Sequence, residues 1–182
     1  MADSVRLALP AEAATVAAVQ RRAWATDLDQ DLSQWLLTEV DLDAMTTTWH
    51  AAITRPPDAR CRLLVGVDGA SGAVVGFVAT SPGDDPDADP ARDGLLGEWV
   101  VDPQARRRGH GSRLLNAAVD TLRADGFTRA QIWLAATDDV RRQLLHESGW
   151  APDGGHREVG PTAELAQRQV RLHTDITDAG EA

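Results

Sequence analysis

The chain has 182 residues, enough for one compact domain with its own core and few for two. An apolar share of 43 % excludes a disordered chain, no apolar run reaches the length of a membrane span, and the single cysteine, Cys61, excludes an internal disulfide. A formal net charge of −10 argues against a nucleic-acid partner. All 18 basic residues are arginine, tyrosine is absent and Asn116 is the only asparagine, a bias expected of a GC-rich bacterial genome. The start, Met1-Ala2-Asp3-Ser4, lacks the basic and apolar stretches of a signal peptide, so cytoplasmic residence is expected.

Val5 to Leu9 alternates as a strand, and Pro10 opens a helix to about Arg22 with Val16, Val19 and Ala23 on one face. Trp24 to Thr54 reads as one or two further helices, ended by Pro56-Pro57. Arg62 to Val67 and Ala73 to Thr80 form a hairpin about the turn Asp68-Gly69-Ala70-Ser71-Gly72. An aspartate-rich loop, Pro82 to Gly94, leads to a strand from Leu95 to Val101. Leu114, Leu115, Ala118, Val119 and Leu122 fall on one stripe of a helix from Gly111 to Asp125, and Gly126 caps it. A strand from Ala130 to Leu134, a short helix capped by Asp138 or Asp139 and stopped at Gly149, a strand from Trp150 and a last strand from Gln169 to Thr174 complete the order. The expectation is one α/β domain over 1–182 with a central mixed sheet, a core over 5–174 and a frayed tail over 175–182.

The stretch Val100-Val101-Asp102-Pro103-Gln104-Ala105-Arg106-Arg107-Arg108-Gly109-His110-Gly111-Ser112 runs from a strand through a basic, glycine-bearing turn into an amphipathic helix. Unpaired N–H groups and the positive dipole end of such a helix hold a phosphate. Glycines at 109 and 111 let a ligand approach the main chain, and the arginines add charge. A Walker loop needs a lysine, and a dinucleotide fingerprint needs a third glycine where Leu114 stands. A cationic cap on a helix and a site for another anion such as ATP are the competing readings.

The spacing Arg106-x-x-Gly109-x-Gly111 resembles the pyrophosphate signature of the GNAT N-acetyltransferases, (Gln/Arg)-x-x-Gly-x-(Gly/Ala). Leu144-Leu145-His146-Glu147-Ser148-Gly149-Trp150 is similar to that family's later Phe-Tyr-Glu-x-x-Gly-Phe segment. Two positions depart: Asp138 stands where an asparagine often contacts the pantetheine arm, and Leu145 where a tyrosine often protonates the leaving thiolate. The resemblance, over roughly 5–173, implies a mostly antiparallel sheet splayed between its fourth and fifth strands and flanked by helices. It implies acetyl-CoA as cosubstrate and no metal. It implies a diphosphate held by Arg106, Arg107, Arg108, Gly109, His110, Gly111 and Ser112, with pantetheine along Trp99, Val100 and Val101 and near Asp138. The reaction implied is direct acetyl transfer to a primary amine of a small molecule or protein, with a homodimer as a possible assembly. A binding module without turnover is the alternative.

Glu98, on the strand beside the expected thioester, is the candidate base, and strict alternation would put it with Val100 on one sheet face. His146 is the nearest candidate acid, although the helix rotates it about 100° from position 145. His110 is expected to face solvent, and Cys61 needs no role. Trp24, Asp27, Asp29, Asp31 and Trp35, with the stretch 153–167, are the candidate acceptor lip.

Overall fold

The computed structural model describes residues 2–177. Its elements are β1 (Ser4–Leu7), a 3-10 turn at Pro10–Glu12, α1 (Ala13–Asp27), α2 (Gln30–Glu39), α3 (Leu42–Thr54), β2 (Arg62–Val67), β3 (Val74–Pro82) and β4 (Asp93–Val101). A second 3-10 turn, Pro103–Ala105, leads to α4 (His110–Ala124), β5 (Arg129–Ala135), α5 (Asp139–Glu147), β6 (Ala151–Val159) and β7 (Gln167–Asp175). The order matches the sequence expectation, with α1 running on past Arg22 to Asp27 and β6 filling much of the stretch expected as a loop. Asp175 belongs to β7 and Ile176 is buried, so order extends beyond the expected boundary at 174; residues 178–182 of the expected tail lie outside the described residues.

The seven strands form one sheet in the order β1-β2-β3-β4-β5-β7-β6, and β4 and β5 are its parallel pair. Two apolar layers cover it. Val16, Val19 and Ala23 of α1 pack with Val65, Phe77 and Val100 on one face, where Trp49 meets Phe77 edge-on at 5.1 Å. Leu114, Leu115, Ala118 and Leu122 of α4 and Leu145 of α5 pack with Leu96, Trp99, Ile132 and Leu134 on the other. A Cβ at Gly94 would lie 2.7 Å from Leu122 Cδ2, so this glycine sets how closely α4 approaches β4.

The half of the sheet not covered by α1 carries charge. Arg171 of β7, 9 % exposed, holds Asp87 through both Nη atoms, Asp153 through Nε at 2.8 Å and Asp85 at 3.3 Å. Asp85 also accepts from Trp133 Nε1, which ties the β3–β4 loop over the sheet. Arg171→Met leaves the partly covered carboxylates of Asp85 and Asp153 without their cation. We expect it to lower unfolding free energy by about 1–3 kcal/mol, read as a lower urea midpoint at unchanged slope; a midpoint equal to the parent's would show that the loop is held by other contacts.

Candidate functional site

The parallel ladder is short. It runs from Asp93↔Arg129 to Leu96↔Ile132, while β4 continues to Val101 against β3 and β5 continues to Ala135 against β7. Beyond Leu96 the two strands part, and a gap opens between them. Asp102 donates its N–H to Val75 O of β3, so by alternation residues 99 and 101 turn their main-chain groups to the gap. An arginine covers each carbonyl there: Arg141 Nη1 donates to Trp99 O at 2.9 Å and Arg106 Nε donates to Val101 O at 3.2 Å. A buried strand edge requires such partners.

At the start of the gap β4 is bulged: Gly97 and Glu98 stand opposite Ala79 alone, between the pairs Thr80↔Leu96 and Val78↔Trp99. From Glu98 on, the expected alternation holds, with Glu98 meeting Gln20 of α1 and Val100 packed on that face while Trp99 and Val101 pack on the other; the bulge puts Leu96 out of that period, so Leu96 and Trp99, three apart, both face the α4 side. Glu98 is exposed by surface area although protein atoms crowd around its carboxyl, so solvent reaches it beside the gap. Burial pushes its carboxyl above the usual carboxylate range, against the opposing influence of Arg141 and of the Gln20 amide. Gln20 Oε1 accepts from Trp49 Nε1 at 2.8 Å, which leaves its NH2 end to serve the carboxylate.

The second half of the site is the turn before α4. Gly109 has φ +82° and Arg107, not a glycine, has φ +61°, two left-handed residues that curl the chain around its own N–H groups. Among the described residues no acceptor takes the main-chain N–H of Arg107, Arg108, Gly109, His110, Gly111 or Ser112. Trp99 Nε1 donates to Gly111 O at 3.2 Å and pins this turn to the edge of β4. The amides therefore sit directly beside the gap.

The arginines are deployed less uniformly than the sequence suggests. Arg106 is fixed to Asp27 through two bonds of 2.7 Å and Arg108 pairs with Asp68 at 2.7 Å; only Arg107 of the three has no side-chain partner among the described residues. His110 corrects the expectation of a solvent-facing side chain: it is 3 % exposed, with Nδ1 3.9 Å from Asp3 Oδ2. Helical side chains tilt toward the N-terminus, and at the first residue of α4 that direction leads back under the turn rather than out to solvent. Ser112 is exposed.

On α5, Asp138 caps the helix by accepting from Arg141 N at 3.0 Å and from Arg141 Nε, so both carboxylate oxygens are engaged. Leu145 is fully buried in the core and His146 is exposed. Of the candidate acceptor lip, Asp27 is committed to Arg106 and Trp35 stays at the surface of α2. Cys61 is half-buried. Arg141, Gln20 and Trp49 are the members of the site that sequence reasoning passed over. A cation in the first turn of α5, set against the helix dipole, was the available signal for Arg141.

The chain is 42 % identical over 107 residues to a mycothiol acetyltransferase of Mycobacterium sp. (strain JLS), covering 59 % of this chain and 32 % of that protein. It is 32 % identical over 109 residues to a phosphinothricin N-acetyltransferase of Streptomyces coelicolor, covering 59 % and 62 %. The chain thus spans about a third of the length of the mycothiol relatives it matches. Its fold superposes on an acetyltransferase of Salmonella typhimurium solved with acetyl-CoA at a TM-score of 0.73, with 16 % identity over 100 % of this chain and 98 % of that one. A GCN5-related N-acetyltransferase from Kribbella flavida gives 0.71 at 22 % identity, over 96 % and 98 %. The acetyltransferase (GNAT) family model matches residues 22–150, and the chain belongs to that family.

Proposed function

We propose that this chain, as one domain, takes up acetyl-CoA and transfers its acetyl group to a primary amine of a small molecule or protein by direct attack in a ternary complex. The observation that carries the reading is the run of unclaimed N–H groups from Arg107 to Ser112 beside the parted edge of β4. A diphosphate matches that run in charge and in hydrogen-bonding sense, and Arg107 is the side chain left to assist. The edge of Trp99 to Val101 offers donors to an extended pantetheine arm, since its gap-facing carbonyls are already bonded. When bound, the cofactor supplies an activated acetyl thioester.

The chain's own task is proton transfer. An amine with pKa near 10.4 costs about 4–5 kcal/mol to deprotonate at pH 7. Glu98, raised by burial and reached by solvent beside the gap, is the group placed to accept that proton directly or through water. Leu145 is buried and offers no proton, and a thiolate with intrinsic pKa near 8.5 leaves without an acid. His146 lies on the outer side of α5 and is assigned no step.

Isothermal calorimetry with coenzyme A and acetyl-CoA, followed by release of free thiol across a panel of amines, tests the proposal. Uptake of both cofactors with thiol release for at least one amine is the expected result. Absence of uptake overturns it, and uptake with silence across a broad panel favours a module that binds without turnover.

A further inference from the structure

Arg141 is an anomaly of both sequence and geometry. It occupies the first turn of α5, where the helix dipole disfavours a cation, and Arg142 follows it. Its neighbours compensate: Asp138 binds its Nε, and Arg142 turns away to Ala136 O and Asp139. The side chain then reaches across the parted strands to Trp99 O, the carbonyl of the residue after Glu98. Two of its donors are thereby fixed, and it forms no ion pair with Glu98 itself. A direct pair would hold the carboxylate's lone pairs; a cation anchored a short way off stabilises the negative charge and leaves the lone pairs not taken by Gln20 free.

We propose that Arg141 is a positioning residue for the acetyl-transfer reaction: clamped between Asp138 and the Trp99 carbonyl, it holds a fixed positive charge in the β4–β5 gap beside Glu98. The inference rests on the assignment of Glu98 as the base. No other charged side chain acts on Glu98 among the described residues. α1 presents the neutral Gln20, its ionic neighbours Arg22 and Asp27 being committed to Asp102 and Arg106; β3 presents Ala79; α5 presents Arg141 with its partner Asp138. Burial raises the Glu98 carboxyl and Arg141 opposes the rise, so the guanidinium widens the pH range over which the base is ionised.

The test needs no acceptor. Carboxyl-13C glutamate labelling follows the titration of Glu98 in the ligand-free protein, its resonance assigned by disappearance in Glu98→Gln. In Arg141→Met the Glu98 midpoint is expected to rise by at least about one pH unit, and in Arg141→Lys to stay near the parent value. Arg141→Gln serves if the Met variant does not fold. A midpoint unchanged on loss of the charge overturns the proposal, and so does an equal rise in the Lys variant, which would mark a structural effect. Thiol release by Glu98→Gln, measured alongside with an amine the parent acetylates, separates the two claims: full turnover there removes Glu98 as base whatever the titration does. Loss of turnover with an unmoved midpoint removes Arg141 alone.

Discussion

Glu98→Gln is expected to keep the fold and the uptake of coenzyme A while lowering turnover about 10²–10⁴-fold, the range of a positioned general base. The exchange preserves size and shape and removes only the ability to take a proton. The carboxylate makes no direct ion pair that the amide would break, so the variant should not unfold. Stability should move the other way. A carboxyl raised above its unfolded value binds protons more tightly in the folded state, so its contribution is favourable below the unfolded pKa and is lost as pH rises through the folded pKa. At pH 7 the parent carries the burden of a desolvated charge, and the amide does not. Urea unfolding should therefore show Glu98→Gln more stable than the parent at pH 7 and equal to it near pH 4. A variant that is less stable at neutral pH, or one that turns over normally, would remove the assignment. A site that gives up stability for a reactive group is the familiar pattern of function working against the fold.

Much of this was legible in the sequence because it depends on period and on local chemistry. The stripe Leu114, Leu115, Ala118, Leu122 buries as its spacing requires, and the turn Asp68 to Gly72 joins the strands it appears to join. The phosphate turn was visible because glycine, helix start and preceding strand are contiguous. What stayed hidden depends on contacts between distant parts of the chain. The pairing of Arg106 with Asp27 spans 79 residues, and no local pattern announces it. The bulge at Gly97 and Glu98 hid for a different reason: its residues fit an alternating strand, and only the partner strand supplies one residue where β4 has two. His110 reads as an exposed residue in a basic, polar segment, yet the helix it begins carries its ring inward. Position 145 was read through a resemblance to a tyrosine; in this chain the leucine there completes the α5 side of the core. Arg141 required both the helix boundary and the parting of β4 from β5 to become visible.

Gly109→Val should weaken uptake of coenzyme A at least about 100-fold in a protein that remains folded. At φ +82° a β-branched residue is strained by about 1–3 kcal/mol, and its Cβ would stand 2.8 Å from Arg113 Nη1. That guanidinium ends a half-exposed, flexible side chain and can swing aside at the loss of its bonds to Arg108 O at 3.1 Å and Asp3 at 3.2 Å, so the backbone strain is the term that remains. The strain falls on exposed backbone outside both apolar layers, so relaxation of the turn is cheaper than unfolding of the sheet. Relaxation swings the amides of Arg107 to Ser112 out of their common direction. A bond to a charged oxygen is worth about 1.5–3 kcal/mol, so losing two of them exceeds the factor of 100. Gly111→Ala is the matched control. Its φ is not positive, and the added Cβ meets Val101 Cγ2 at 3.7 Å and Trp99 Cζ2 at 3.8 Å, both ordinary contacts. Alanine there should leave the melting temperature unchanged and the affinity within about threefold, since the main-chain donors keep their places. Calorimetry on both variants decides the matter. Unimpaired uptake by a folded Gly109→Val protein would mean that the ligand is held elsewhere, because the curled turn is the feature that gathers these donors on one side.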